Sequence, residues 1–313
     1  MQNISKDPET GLVISPDSAG QRIDNFLIKT LKGVPKSCIY RILRCADVRV
    51  NKRRVKASYR LQAGDNVRIP PLRISSAPAA PPPPRLAAAR LYHDEALLAI
   101  DKPAGVAVHG GSGVSHGVIE QLRAAQTGER FLELVHRLDR DTSGVLLLAK
   151  KRAALTGLHC ELREGRVEKR YLVLVKGEWD ARIGSIALPL HKYINEQGER
   201  RVAVNDNGKP SQTLLKLKRV WPGFSLLEAQ LKTGRTHQIR VHLTHLGFPI
   251  AGDPKYGDFE FNRQLRKRGL KRMFLHARLL RFKHPISGES VRIEAPLPDE
   301  LDLFVQSLER ATG

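Results

Sequence analysis

The 313-residue chain carries 53 Lys and Arg against 32 Asp and Glu, a formal net charge of +21; this length suggests about two domains with room for a proper core, and charge of this sign points to a polyanionic partner, nucleic acid first. No apolar run is long enough to span a membrane, and Met1 to Asp7 carries neither a signal peptide nor a lipidation signature, so no membrane association and a cytoplasmic location are expected. Cys38, Cys45 and Cys160 form no C-x-x-C pair and no metal-ligand spacing, which argues against a disulfide framework or a zinc site and leaves them as reduced thiols.

Residues 1–20 read as a tail, and residues 21–72 as a small basic module. Ile23, Phe26, Leu27 and Leu31 fall at helical spacing in a helix that Gly33 should stop. A second short helix from about Ser37 turns Ile39, Ile42, Leu43 and Ala46 inward. Short strands follow around Val48 and Val50, beyond a turn at Asn51-Lys52, and over Asn66 to Ile69 after Gly64-Asp65. Between Gln21 and Pro70, 13 Lys and Arg face three carboxylates, a net of +10, so nearly half of the excess charge sits in this module. Such runs are usually solvated faces. Here Lys36, Arg41, Arg44, Arg49, Lys52, Arg53 and Arg54 cluster along one helix and one turn, as counterion release from phosphates would reward.

Residues 73–88, centred on Ser75 to Pro84 with its run of four prolines, cannot form a helix or a central strand and read as a semi-rigid linker. The rest, residues 89–313, reads as one larger α+β domain. Leu97 to Ile100 is a short strand leading into the turn Asp101-Lys102-Pro103-Ala104-Gly105, and Val106 to Val108 is expected to continue as a strand. The glycine loop after His109 has the wrong spacing for a dinucleotide or P-loop cradle, and no nucleotide cofactor is expected. Val118 to Gln126 reads as a helix.

The stretch from His136 to Lys150 crowds charged, hydroxyl and glycine residues into a turn, then enters the five apolar residues Val145 to Ala149, the pattern of a buried strand. A carboxylate such as Asp139 at a strand entrance, between Arg137 and Arg140, would stay ionised and could act as a nucleophile; it could equally cap its own turn. Leu155 to Arg163 is helical, and Lys169 to Val175 is a strand whose Tyr171 would face Asp139 if the two strands were neighbours. Ser225 to Leu231 is a further strand. A helix opens at about Thr236 with Ile239, Leu243 and Leu246 on one side, which places Arg235 at a strand-to-helix junction.

Three constellations compete for the chemistry. His136, Asp139 and Ser143 lack the G-x-S-x-G elbow of a hydrolase and are too close in sequence for triad geometry. His237, His242 and His245 lack an H-E-x-x-H pattern, so no metal is expected there. Asp139, Tyr171 and Arg235 together supply a nucleophile, an aromatic ring and a cation.

His136 to Gly144, preceded by Lys102 to Gly105 and followed by Gly234 to Arg240, resembles the RluA-type pseudouridine synthase family, and the N-terminal module resembles an S4 RNA-binding domain. The resemblance covers nearly the whole chain. It implies an S4 module ahead of a catalytic domain with a mixed, largely antiparallel sheet and flanking helices, and isomerisation of uridines of 23S ribosomal RNA, free or in an assembling large subunit. It further implies Asp139 as nucleophile, Tyr171 stacking on the extruded base and serving as general base, Arg235 pairing with Asp139, and Arg137 filling the gap that the flipped base leaves. A cation beside Tyr171 would lower the pKa of its phenol. The reaction oxidises nothing and donates no group, so neither a metal nor an organic cofactor is required, and no obligate protein partner is expected. The alternative is an inactive RNA-binding or ribosome-assembly factor of the same fold, against which the presence of Asp139, Tyr171 and Arg235 argues.

Overall fold

The computed structural model describes residues 10–31, 34, 36–71, 86–110, 116–125 and 131–311, with residues 10, 36 and 37 by their backbone. They form two compact units, divided within the proline run. Most of the expected linker, the helix stop at Gly33, the loop glycines 111 and 113 and the helix end at Gln126 lie outside the described residues.

In the first unit, strand β1 (Thr10–Val13), helices α1 (Ile23–Thr30) and α2 (Lys36–Arg44), and strands β2 (Arg49–Val50), β3 (Arg53–Arg54) and β4 (Asn66–Ile69) form an antiparallel sheet of order β1-β4-β2-β3 beside two helices. Ile23, Leu27, Ile39, Ile42, Val48, Val67 and neighbours bury one core. The expected tail therefore contains a strand: Thr10 to Val13 pairs with Asn66 to Ile69, which brings Ile14 into that core. Ala46 is not on the helix face. It adopts a left-handed φ of 61° beyond the end of α2, where the Asp47 N–H donates to the Ile42 carbonyl and closes the helix. Asn51 and Lys52, at φ 49° and 66°, make the two-residue turn of the β2-β3 hairpin.

In the second unit, β5 (Arg90–His93), β6 (Leu97–Lys102), α3 (Val118–Ala125), β7 (Glu133–Leu134), β8 (Ser143–Ala149), α4 (Arg152–Arg163) and β9 (Glu168–Lys176) come first. There follow β10 (Ser185–Ala187), the separate hairpin β11 (Leu190–Ile194) and β12 (Arg200–Val204), β13 (Gln212–Trp221), β14 (Phe224–Leu231), α5 (Gln238–His245), α6 (Phe259–Lys267), β15 (Leu275–Lys283), β16 (Ser290–Glu294) and α7 (Asp299–Arg310). One sheet runs in the order β10-β13-β14-β9-β15-β8-β6-β5, with β16 on β15 and β7 on β8. Among the described residues its pairings are antiparallel except β8 with β15, so the sheet is mixed and largely antiparallel within an α+β chain.

Strand β8 lacks polar alternation because both of its faces are covered. Leu146 and Leu148 pack with Ile239 and Leu243 of α5, while Val145, Leu147 and Ala149 pack with Ala154, Leu155 and Leu158 of α4. Gly144, at φ 109°, permits the close approach of β15: a Cβ there would lie 2.2 Å from the Ala277 carbonyl oxygen. One condition is not met here and one expectation fails. Strand β15 lies between β8 and β9, so the strands of Asp139 and Tyr171 are not neighbours. Val106 to Val108 is not a strand, because its carbonyls serve other donors: Val106 accepts from the buried Lys102 ammonium at 2.8 Å, and Ala107 and Val108 accept from the first N–H groups of α3.

Candidate active site

The turn before β8 is held at several points. The Arg140 carbonyl accepts from Gly105 N–H at 2.9 Å and from Lys102 Nζ at 3.0 Å, and the same ammonium donates to the Pro103 carbonyl at 2.7 Å. Burial, helped by Arg272, pushes the Lys102 pKa down to about 7. On the other side, Arg272 donates to Ser143 Oγ at 2.7 Å, and Ser143 Oγ lies 2.9 Å from His276 Nδ1. Asp139 thus projects from a loop whose backbone is clamped between β6 and β15.

Asp139 opens into a groove also lined by Arg137, Tyr171, Arg235, His237 and Arg240. All three residues of the expected constellation reach it, together with Arg137. Tyr171 does so from β9, across the intervening β15.

The cation that grips Asp139 is Arg240, not Arg235. Arg240 Nη1 donates to Asp139 Oδ2 at 3.2 Å. Its other nitrogens hold Asp253, Nε to Oδ2 at 2.8 Å and Nη2 to Oδ1 at 2.7 Å. The fork on Asp253 fixes the guanidinium plane and leaves one N–H aimed at Asp139. Burial alone would lower the Arg240 pKa, but the bonds to Asp253 and Asp139 more than offset it, and the guanidinium stays charged. Burial likewise opposes the charge on Asp253, yet Arg240 and the Lys255 and Tyr256 amides hold its pKa below the usual carboxylate value. Arg235 is exposed and donates through Nε to the Pro210 carbonyl at 3.1 Å. The reason is local backbone: His237 adopts φ 55°, so α5 starts at Gln238 rather than Thr236 and turns Arg240 inward. The sequence held no signal that would single out Arg240, because on a helix its neighbours Ile239 and Val241 lie about 100° to either side and leave its own face undecided.

Burial first, and then the negative charge of Asp139, raises the Tyr171 pKa above that of a free phenol. The expected lowering is reversed because the cation is spent on two carboxylates while the ring is enclosed. Tyr171 is a protonated phenol at neutral pH.

The rival constellations have other employment. His136 Nε2 accepts the Leu147 N–H at 3.1 Å, and burial pushes its pKa down to about 4, while Ser143 is bonded to His276 and Arg272. His242 is fully buried, with Nδ1 3.0 Å from Thr213 Oγ1 and Nε2 3.0 Å from Ser211 Oγ. Among the described residues no helix is long and apolar enough to cross a membrane.

Residues 96–245 match the family described as RNA pseudouridylate synthase. The chain is 54% identical over 308 residues to the ribosomal large subunit pseudouridine synthase C of Escherichia coli (strain K12), covering 96% of this chain and 97% of that protein. The protein of that name from Pasteurella multocida (strain Pm70) is 53% identical, with 95% and 93% covered. Among solved structures, the human RNA pseudouridylate synthase domain containing 1 protein is 29% identical over 71% of this chain and 94% of that chain, with a TM-score of 0.56.

Proposed function

The chain belongs to the RNA pseudouridylate synthase family, and on that footing we propose that it isomerises particular uridines of 23S ribosomal RNA with Asp139 as the nucleophile. The reaction detaches uracil from the ribose C1′, turns it, and rejoins it through C5, so the protein must offer an ionised carboxylate and a pocket for an extruded base. One observation carries the assignment of Asp139: its carboxylate is held by a buried guanidinium in a groove that is also lined by an aromatic ring. In this reading Tyr171 supplies the ring against which the base stacks, Arg137 fills the vacated stack, and Arg235 contacts the RNA backbone from the groove rim.

The first unit is the RNA-binding element in this reading, with the S4 type as its family. The cross-strand register supports it, since Arg54 pairs with Arg49 and Arg49 with Arg68, three arginines side by side over three strands. Like charges set directly opposite one another, as Arg49 and Arg54 are, oppose folding, and a polyanion laid across the hairpin lessens that penalty. Arg41, Arg44, Lys52, Arg53 and Arg54 are exposed, and Arg49 is half-buried; Lys36 opens α2.

Pseudouridine mapping of ribosomal RNA from cells lacking the protein, complemented by wild type or by Asp139→Asn, tests this. Specific 23S positions should lose pseudouridine, and only the wild type should restore them. An unchanged map would favour an RNA-binding or assembly factor, and restoration by Asp139→Asn would remove the nucleophile assignment.

A further inference from the structure

The two oxygens of Asp139 have different surroundings. Oδ2 is bonded to Arg240, while Oδ1 faces His237 Nε2 at 3.9 Å, too far for a hydrogen bond and close enough for the dipole to act. His237 is one of four non-glycine residues with positive φ among the described residues, and the only one of those four in the groove. Such backbone persists where the surroundings over-determine it.

Tyr256 does this holding. Its hydroxyl accepts the Val202 N–H at 3.0 Å and lies 2.8 Å from His237 Nδ1. Its ring meets the imidazole edge-on at 5.4 Å between centroids and lies 5.0 Å from the Arg240 guanidinium carbon. With its oxygen already accepting from Val202, the phenol has Nδ1 as the acceptor within reach of its own proton. In the tautomer that uses this acceptor, the ring proton of neutral His237 lies on Nε2, on the side of Asp139. Burial disfavours protonation of the second nitrogen; Asp139 and Asp253 favour it, Arg240 and Lys255 oppose it, and the net pKa is lowered.

We propose that His237 is a positioning residue for the nucleophile: fixed by Tyr256, it directs an Nε2–H at Oδ1 of Asp139 and so sets which carboxylate oxygen faces the substrate. The inference rests on the reading of Asp139 as nucleophile. A bonded oxygen is a poorer nucleophile than an unbonded one, so the geometry separates an anchored Oδ2 from a reactive Oδ1 that is oriented without being quenched. Because Val202 lies in β12, the same chain of interactions ties the β11-β12 hairpin to the catalytic carboxylate.

The test uses the full-length chain and a 23S ribosomal RNA transcript, with single-turnover rates at saturating RNA and a separate measurement of RNA Kd. His237→Leu should slow chemistry by roughly tenfold or more while Kd stays within about threefold. His237→Gln, whose amide N–H can take the place of Nε2–H, should recover most of the rate. Tyr256→Phe should slow the rate several-fold without weakening binding, and should add little to His237→Leu. Wild-type rates in His237→Leu, equal loss in the Gln and Leu variants, or a loss confined to Kd would each overturn the proposal. Should the Leu variant fail to fold, Tyr256→Phe decides, and an unchanged rate there would overturn it. With active wild type and inert Asp139→Asn, wild-type-like His237 variants sink this inference alone; active Asp139→Asn sinks the underlying reading as well.

Discussion

Arg240 Nη1 and Asp139 Oδ2 lie 3.2 Å apart although 101 residues separate them in the chain. The guanidinium is buried, serves two carboxylates and has no solvent to fall back on. Arg240→Ala should therefore cost about 3 to 5 kcal/mol of stability, the scale for leaving a buried partner charge uncompensated, and should abolish measurable turnover. Arg235→Ala should leave the unfolding midpoint nearly unchanged and show itself chiefly as weaker RNA binding, because that side chain is exposed and bonds a backbone carbonyl. Urea unfolding and RNA binding of the two variants check the contrast; equal stability losses would contradict it.

Burial and then Asp139 raise the Tyr171 pKa, so the hydroxyl loses its proton less readily than a free phenol and makes a poorer general base. The ring then matters more than the hydroxyl. Tyr171→Phe should keep turnover within about tenfold, and Tyr171→Leu should lose roughly 1 to 3 kcal/mol of substrate stabilisation, the scale of a base-aromatic stack. Single-turnover rates on saturating RNA measure both, and a hundredfold loss in the Phe variant alone would show that the hydroxyl takes part in proton transfer.

His276 is fully buried and its pKa is pushed down to about 4, by burial first and then by Arg272 and Arg278 against the pull of the Ala295 carbonyl. Above the ordinary value of 6.5 both folded and unfolded forms hold the ring neutral. As pH falls from there the unfolded chain takes up a proton that the folded chain refuses until about 4, so stability drops across that window, by an amount on the order of 3 kcal/mol. Urea unfolding of wild type at pH 7 and pH 4.5 should show the drop, and His276→Leu should lessen it whatever its stability at pH 7.

The basic hairpin of the first unit offers a charge test. Replacing Lys52, Arg53 and Arg54 together by Ala should weaken RNA binding and reduce the slope of log K against log salt by up to about 0.9 for each duplex phosphate that the hairpin no longer neutralises. These side chains are exposed, so folding should survive. An unchanged slope would show that the hairpin does not touch phosphate.

Local patterns carried much of the architecture. The period of Ile23, Phe26 and Leu27, the run from Val145 to Ala149 and the Asn51-Lys52 turn depend on near neighbours and are legible in one dimension. Position 139 as a strand-entrance carboxylate was legible for the same reason. By contrast, β1 joins the first unit through backbone pairing with β4, a partner more than fifty residues away, and its short sequence carries no alternation that announces it.

The sequence by itself determined the residue types of the site and the order in which the chain delivers them: an acid after Arg137, a tyrosine at a strand start, and a basic, histidine-containing segment before a helix. Which cation meets the acid was decided only in three dimensions. Arg235 and Arg240 have the same charge, and choosing between them required the left-handed turn at His237, the inward face of α5 and the buried Asp253. The direction of the Tyr171 pKa shift was decided in the same way, because a pKa depends on enclosure and on where neighbouring charges are spent. Both are properties of packing, and the insertion of β15 between β8 and β9 sets that packing from residues more than a hundred positions further along the chain.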